Sequence, residues 1–156
     1  MTTPCIRPAR IEEACALLEL CVRSKASWGY DEDFMALVRI ALEGMQEQIE
    51  RGGVWVATDP NGEVAGIVAL GPGERPDTLD LDKLFVEPRW IRSGVGRALI
   101  AHAVAEARRR GARRLTILAD PYAAGFYERH GARLIGQAPS DAIPGRLLPF
   151  YEITLD

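Results

Sequence analysis

"WIRSGVGRALIAHAVAEARRRG", residues 90 to 111, places Gly94 and Gly96 at the mouth of a long amphipathic helix. Val95, Leu99, Ala103 and Ala107 form its apolar stripe, and Gly111 marks its end. Inside a helix, glycine costs up to about 1 kcal/mol relative to alanine. Two glycines at a helix start therefore need a compensating role: a tight turn, close packing, or a ligand held against the backbone. Helix N-termini carry unpaired N–H groups and a partial positive charge, and glycines there leave room for an anion such as a phosphate.

Working outward, "LDLDKLFV" (79–86) alternates as a strand that reaches this helix through a loop at Pro88, and "RRLTILA" (113–119) supplies the strand after it. Upstream, "VWVAT" and "EVAGIVAL" flank the turn "DPNG" and predict a hairpin. Before them lie a short strand near "CIRP" and a helix carrying Ile11, Ala14, Cys15, Leu18, Cys21 and Val22 at helical spacing. A second helix starts at Asp31 as N-cap and stops near Gly44. Downstream come a short helix in "PYAAGFYERHG", a strand in "ARLIG" and a last strand in "LLPFYEITL", where Pro149 predicts an edge or a bulge. The order β-α-α-β-β-β-α-β-α-β-β predicts one α/β domain over residues 1–156, with a mixed sheet and one strand–helix–strand crossover.

The composition, 47% hydrophobic and 26% charged, is that of a globular protein. No apolar run approaches the roughly 18 residues of a membrane span, and "MTTPCIRPAR" shows no secretory signal, so the expected location is the cytoplasm. A net charge of -3 gives no general attraction to nucleic acid; Arg108, Arg109, Arg110, Arg113 and Arg114 instead complement a helix C-terminus. Cys5, Cys15 and Cys21 have no CxxC spacing, and Cys15 reads as a small buried hydrophobe. With only His102 and His130 available, no metal site is expected.

Two phosphate-binding motifs compete for the glycines. A dinucleotide fingerprint wants a third glycine where Leu99 stands, and a P-loop wants GKS or GKT, which the chain lacks. What fits is "LDKLFVEP", then "WIRSGVGRALI", then "ADPYAAGFYERHGARLIG" after the next strand. This succession resembles the GNAT superfamily of acyl-CoA-dependent N-acyltransferases, from Cys5 to Leu155 and most specifically from Leu79 to Gly136. The family usually carries Arg or Gln three positions before the first glycine; Ile91 stands there in this chain.

The resemblance implies a mostly antiparallel sheet flanked by helices, with a splayed strand pair forming an acyl-CoA cleft and acetyl-CoA as co-substrate. It places the pyrophosphate on the main chain of Arg92, Ser93, Gly94, Val95, Gly96 and Arg97, and the pantetheine arm along Leu84, Phe85 and Val86. Asp120 stands where the family often has an Asn touching that arm, and its other reading is a helix N-cap before Pro121. Tyr127 occupies the position of the family's catalytic tyrosine, with Phe126 packed beside it. A phenol can protonate the leaving thiolate. By the two-residue strand period, Asp80 and Asp82 share a face with Leu84 and Val86, which makes either a candidate base; a solvated strand face accounts for them equally.

Acceptor choice is expected from "SKASWGYDEDF" and "GQAPSDAIPGRLLPF". Trp28 and Tyr30 beside Asp31, Glu32 and Asp33 suit a cationic amine, whereas Arg146 suits a substrate carboxylate; capping alone also explains the acidic cluster. The implied activity is direct acetyl transfer to a primary amine of a small molecule or a protein. The alternatives are a non-catalytic acyl-CoA sensor and a transferase acting on charged tRNA, the latter disfavoured by the missing basic surface. The family also admits a homodimer through the final strands.

Overall fold

A computed structural model describes residues 3–155. The elements are β1 (Cys5–Pro8), α1 (Ala14–Ala26), α2 (Glu32–Ala41), α3 (Met45–Glu50), β2 (Val54–Thr58), β3 (Val64–Pro72), β4 (Thr78–Val86), α4 (Val95–Arg109), β5 (Arg114–Leu118), α5 (Ala124–Arg129), β6 (Arg133–Pro139) and β7 (Leu147–Thr154). The seven strands form one sheet in the order β1-β2-β3-β4-β5-β7-β6, antiparallel except for the central β4–β5 pair. That pair is parallel because α4 carries the chain back across the sheet, as the strand–helix–strand order requires.

Each face of the sheet has its own core. Val95, Leu99, Ile100, Ala103 and Ala107 of α4 pack on Val68, Leu70, Leu81, Leu115 and Ile117. On the opposite face, Leu17, Leu20, Cys21, Val38, Met45 and Ile49 from α1 to α3 cover Val54, Val56, Ile67 and Ala69. The alternation of Ile67 and Ala69 against Val68 and Leu70 makes β3 the shared floor of both cores.

Three expectations need correction. In α1 the buried positions are Leu17, Leu20, Cys21 and Ser24, whereas Ile11 lies in a 3-10 turn ahead of the helix and Cys15 is exposed. The spacing 17, 20, 21, 24 is a cleaner helical face than the one through Cys15. Helix α3 was not expected; it offers only Met45 and Ile49 as a buried i, i+4 pair, too short a run to register as periodicity. Finally, β7 is interior, between β5 and β6, and the irregularity lies in β6 between Leu134 and Gly136 rather than at Pro149. The Pro149 carbonyl accepts the Ala119 N–H at 3.0 Å, so the side on which Pro149 lacks its own N–H faces the point where β5 has already ended. The missing donor therefore breaks no ladder bond with β6.

Candidate functional site

β4 and β5 pair only through Thr78–Arg114, Leu79–Leu115 and Asp80–Thr116. Beyond Asp80, β4 runs on to Val86 bonded to β3 alone, and its other edge opens on a cleft of about 570 Å³. A bulge starts the divergence: Leu70 opposes Leu81 and Ala69 opposes Lys83, so Asp82 is the extra residue. Bulges bend a strand and re-aim the side chains beyond them.

The bulge also corrects the shared face expected for Asp80 and Asp82. Leu79 and Leu81 pack on the α4 side, as do Leu84 and Val86, whereas Phe85 joins the opposite core. Asp80 therefore points away from α4 and is not on the face of Leu84 and Val86. Its carboxylate accepts a hydrogen bond from the Thr116 hydroxyl at 2.8 Å. Burial, helped by the charges of Asp82, Asp141 and Glu74, pushes its carboxyl up to about 6, against the Thr116 hydrogen bond. Asp82 is an exposed cleft residue whose carboxylate accepts from Lys83 at 2.7 Å and from the Gln48 amide at 3.1 Å.

The glycines at the mouth of α4 do different work. Gly94 is the N-cap at φ 95°, a left-handed conformation, with open space where a side chain would stand. A Cβ on Gly96 would meet the Phe126 ring at 3.2 Å, so Gly96 is required for packing against α5. Arg92 also has a positive φ, 66°, which turns the loop just ahead of the helix. Arg92, Gly94, Gly96 and Arg97 line the cleft, together with Ile91. Ser93 and Val95 do not: the Ser93 hydroxyl donates to the Trp90 carbonyl, and Val95 is in the core.

Leu84, Phe85 and Val86 form the β4 wall, and Phe126 and Tyr127 form the α5 wall. Tyr127 is 6% exposed, and burial, with the Asp120 and Asp80 charges, pushes its phenol well above the usual tyrosine range. The sequence expectation of an ordinary phenol is thus revised: Tyr127 stays protonated throughout the neutral range. Asp120 is indeed an N-cap, accepting the Tyr122 N–H at 2.9 Å, and it also lines the cleft. Burial opposes its ionisation, but bonds from Lys25, the Tyr122 N–H and Tyr30 hold its carboxyl below the usual range.

Among the cleft residues not singled out from the sequence are two lysines. Lys25, in the last turn of α1, is ion-paired with Asp120. Lys83, 8% exposed, is bonded to Asp82 and to the Gln48 carbonyl, each at 2.7 Å. They are the only lysines in an arginine-rich chain. That composition was the available signal. Tyr122, also unanticipated, stacks on Trp28 at 5.3 Å and meets the edge of Tyr30 at 5.9 Å.

The three expected acceptor residues lie close together. Trp28 lines the cleft, the Tyr30 hydroxyl donates to Asp120 at 2.8 Å, and Arg146 donates to the Tyr30 hydroxyl at 2.8 Å. Of the acidic cluster, Asp31 accepts the Phe34 N–H at 2.8 Å as N-cap of α2, and Glu32 and Asp33 sit exposed in its first turn. Capping accounts for all three. No group of three or more His, Cys, Asp or Glu among the described residues is arranged to hold a metal, and no helix there is long and apolar enough to cross a membrane.

The central parallel pair thus opens beside the glycine-bearing start of α4. Residues 17–132 match the Acetyltransferase (GNAT) family, and the chain belongs to it. It is 26% identical to a GCN5-related N-acetyltransferase of Rhodopseudomonas palustris, with a TM-score of 0.82 over 99% of this chain and 98% of that one. The PaiA N-acetyltransferase of Thermoplasma acidophilum, solved with coenzyme A, superposes at TM-score 0.82 with 16% identity over 98% and 99% of the two chains. A segment of 58 residues, 36% of the chain, is 45% identical to the human protein named "Probable N-acetyltransferase 14", and it spans only 28% of that protein.

Proposed function

We propose that this protein transfers an acetyl group from acetyl-CoA to a primary amine, directly within a ternary complex. The observation that carries the reading is the β4–β5 opening, with the α4 mouth on one side and Tyr127 on the other. The fit to coenzyme A is physical: open space at Gly94 admits a diphosphate to the helix N-terminus, and the free β4 edge from Leu84 to Val86 offers main-chain groups to an amide-bearing arm. The acetyl thioester supplies the activated acyl carbon. An N–H in the opening polarises its carbonyl.

The chain's own residues then manage protons. Asp80, which directly precedes the cleft-lining Leu81 but does not itself line the cleft, accepts through water the proton the amine loses as its nitrogen bonds the acyl carbon and the carbon–sulfur bond breaks. Tyr127 donates to the departing sulfur. Burial raises the proton affinity of both phenol and thiolate, so the two stay matched in a dry site. Lys25 and Asp120 fix the wall between them. None of the three cysteines is among the cleft-lining residues, which favours direct transfer over an acyl-cysteine.

Thermal unfolding with acetyl-CoA, against NAD and ATP at equal concentration, tests the cofactor site. Ligand at about 100 times its dissociation constant adds about 2.7 kcal/mol to the folded state. Stabilisation by acetyl-CoA alone is expected; none in folded, CoA-free protein overturns the reading. Binding without transfer to any of a broad amine panel would instead make this a sensor.

The pH dependence follows from Asp80. A base must be ionised, so kcat/KM should fall on the acid side with an apparent pKa of about 6, and Asp80→Asn should abolish that limb. Stability moves the other way. A carboxyl raised from 3.8 to about 6 in the fold favours the folded state below 3.8 and loses that contribution as pH rises through 6. Asp80→Asn should therefore raise Tm at pH 8, with the gain fading toward pH 4. A variant that keeps the acid limb removes Asp80 from the mechanism.

A further inference from the structure

Building on the acetyl-transfer reading, we propose that the acceptor is a small amine that also carries a carboxylate, and that Arg146 recognises that carboxylate.

The argument starts from a charge census. Eight of the seventeen arginines and both lysines are ion-paired. The arginines with no carboxylate within 4.0 Å among the described residues are Arg10, Arg51, Arg75, Arg92, Arg97, Arg108, Arg113 and Arg129, all exposed, and Arg146, which is half-buried. Water compensates the others. Arg146 has one protein hydrogen bond from its side chain, to the Tyr30 hydroxyl at 2.8 Å. Its guanidinium lies 5.2 Å from the Tyr30 ring centroid and 4.9 Å from that of Phe34. Those rings are themselves stacked at 3.9 Å and 7°.

Taking a cation out of water with no counter-anion is costly, and ring faces return only part of the cost. A guanidinium held beside a stacked aromatic pair, with most of its N–H groups uncommitted, is prepared for a two-pronged anion. A carboxylate is the smallest such group.

Place in the fold connects this site to the chemistry. Arg146 is in the β6–β7 connection and Tyr30 in the α1–α2 connection. Tyr30 joins them to Asp120 in the cleft wall. The same β6–β7 connection brings Asp141 near Asp80. An amine presented at the β4–β5 opening therefore has Arg146 two hydrogen bonds from the cleft wall, on the side away from α4. Three acids that could have favoured a purely cationic acceptor are already committed: Asp120 to Lys25, Asp82 to Lys83, and Asp31 to its helix.

The test compares acceptors in matched pairs: L-phenylalanine with phenethylamine, L-lysine with cadaverine, and the remaining L-amino acids singly. Wild-type protein should acetylate at least one amino acid with kcat/KM ten-fold or more above its decarboxylated partner. In Arg146→Leu that ratio should fall to near one, mainly through a raised KM for the amino acid. Arg146→Lys should recover part of the preference by keeping the charge without the fork. Equal or better use of the decarboxylated amines, or no acetylation of any amino acid, overturns the proposal. So does an equal loss on both members of a pair in Arg146→Leu, the signature of a purely structural latch. Absence of acetyl-CoA binding in the unfolding experiment would overturn the parent reading, and this one with it; binding and transfer without carboxylate preference overturns this one alone.

Discussion

Tyr127→Phe should lower kcat about 100-fold or more while leaving acetyl-CoA affinity and Tm close to those of the unaltered protein. A positioned general acid contributes about 10²–10⁴-fold, and the variant removes only the oxygen that would meet the leaving sulfur. The usual objection, that an inactive variant is simply misfolded, is weak at this position. The Tyr127 hydroxyl makes no hydrogen bond among the described residues, so deleting it strands no partner. Its ring packs in the α4-side core and against Phe126 at 5.2 Å, and phenylalanine keeps both. Steady-state kinetics, with the unfolding shift as the binding control, reads the result. A kcat within three-fold of the unaltered protein would pass the proton to water and leave Tyr127 a wall residue.

Asp120→Ala should cost about 3 kcal/mol of stability. Its side chain is 9% exposed and that of Lys25 is 15% exposed. Removing the carboxylate leaves a mostly buried ammonium, the Tyr30 hydroxyl and the Tyr122 N–H without their acceptor. Breaking one side of a buried pair typically costs about 3–5 kcal/mol, and partial exposure favours the low end. Asp120→Asn supplies the residue common in the family. It keeps an acceptor for the Tyr122 N–H but gives up the charge facing Lys25, so about 1 kcal/mol is expected. Adding Lys25→Met to Asp120→Ala should restore part of the loss, because the stranded charge goes too. Denaturant unfolding of the four proteins forms the cycle. A loss below about 0.5 kcal/mol for Asp120→Ala would mean that water already screens the pair.

The departure at Asp120 takes on meaning from this pair. In the sequence alone, Asp120 differs from the family's Asn and puts the contact to the cofactor arm in doubt. In the structure, the acid and Lys25 occur together, ninety-five positions apart, and tie the end of α1 to the start of α5. The substitution is explained by its partner. Nothing local to "ADPYAAGF" announces that partner.

What the sequence determined by itself was everything that depends on neighbours along the chain. The helical stripe Val95, Leu99, Ala103 and Ala107, the Asp31 cap and the "DPNG" reversal are short-range signals, and all three are present. The two glycine positions and the "GFYERHG" segment, read in order, were enough for the family. The tertiary structure alone decided what depends on which chains of contacts close across the sheet. One extra residue at Asp82 inverted the facing of Asp80 relative to Leu84 and Val86, because side-chain direction alternates and a single insertion shifts every later position. The interior place of β7 depended on where β5 ends. The environment of Tyr127, the raised carboxyl of Asp80 and the convergence of Lys25, Tyr30, Asp120 and Arg146 required burial and distance, which no window of sequence encodes.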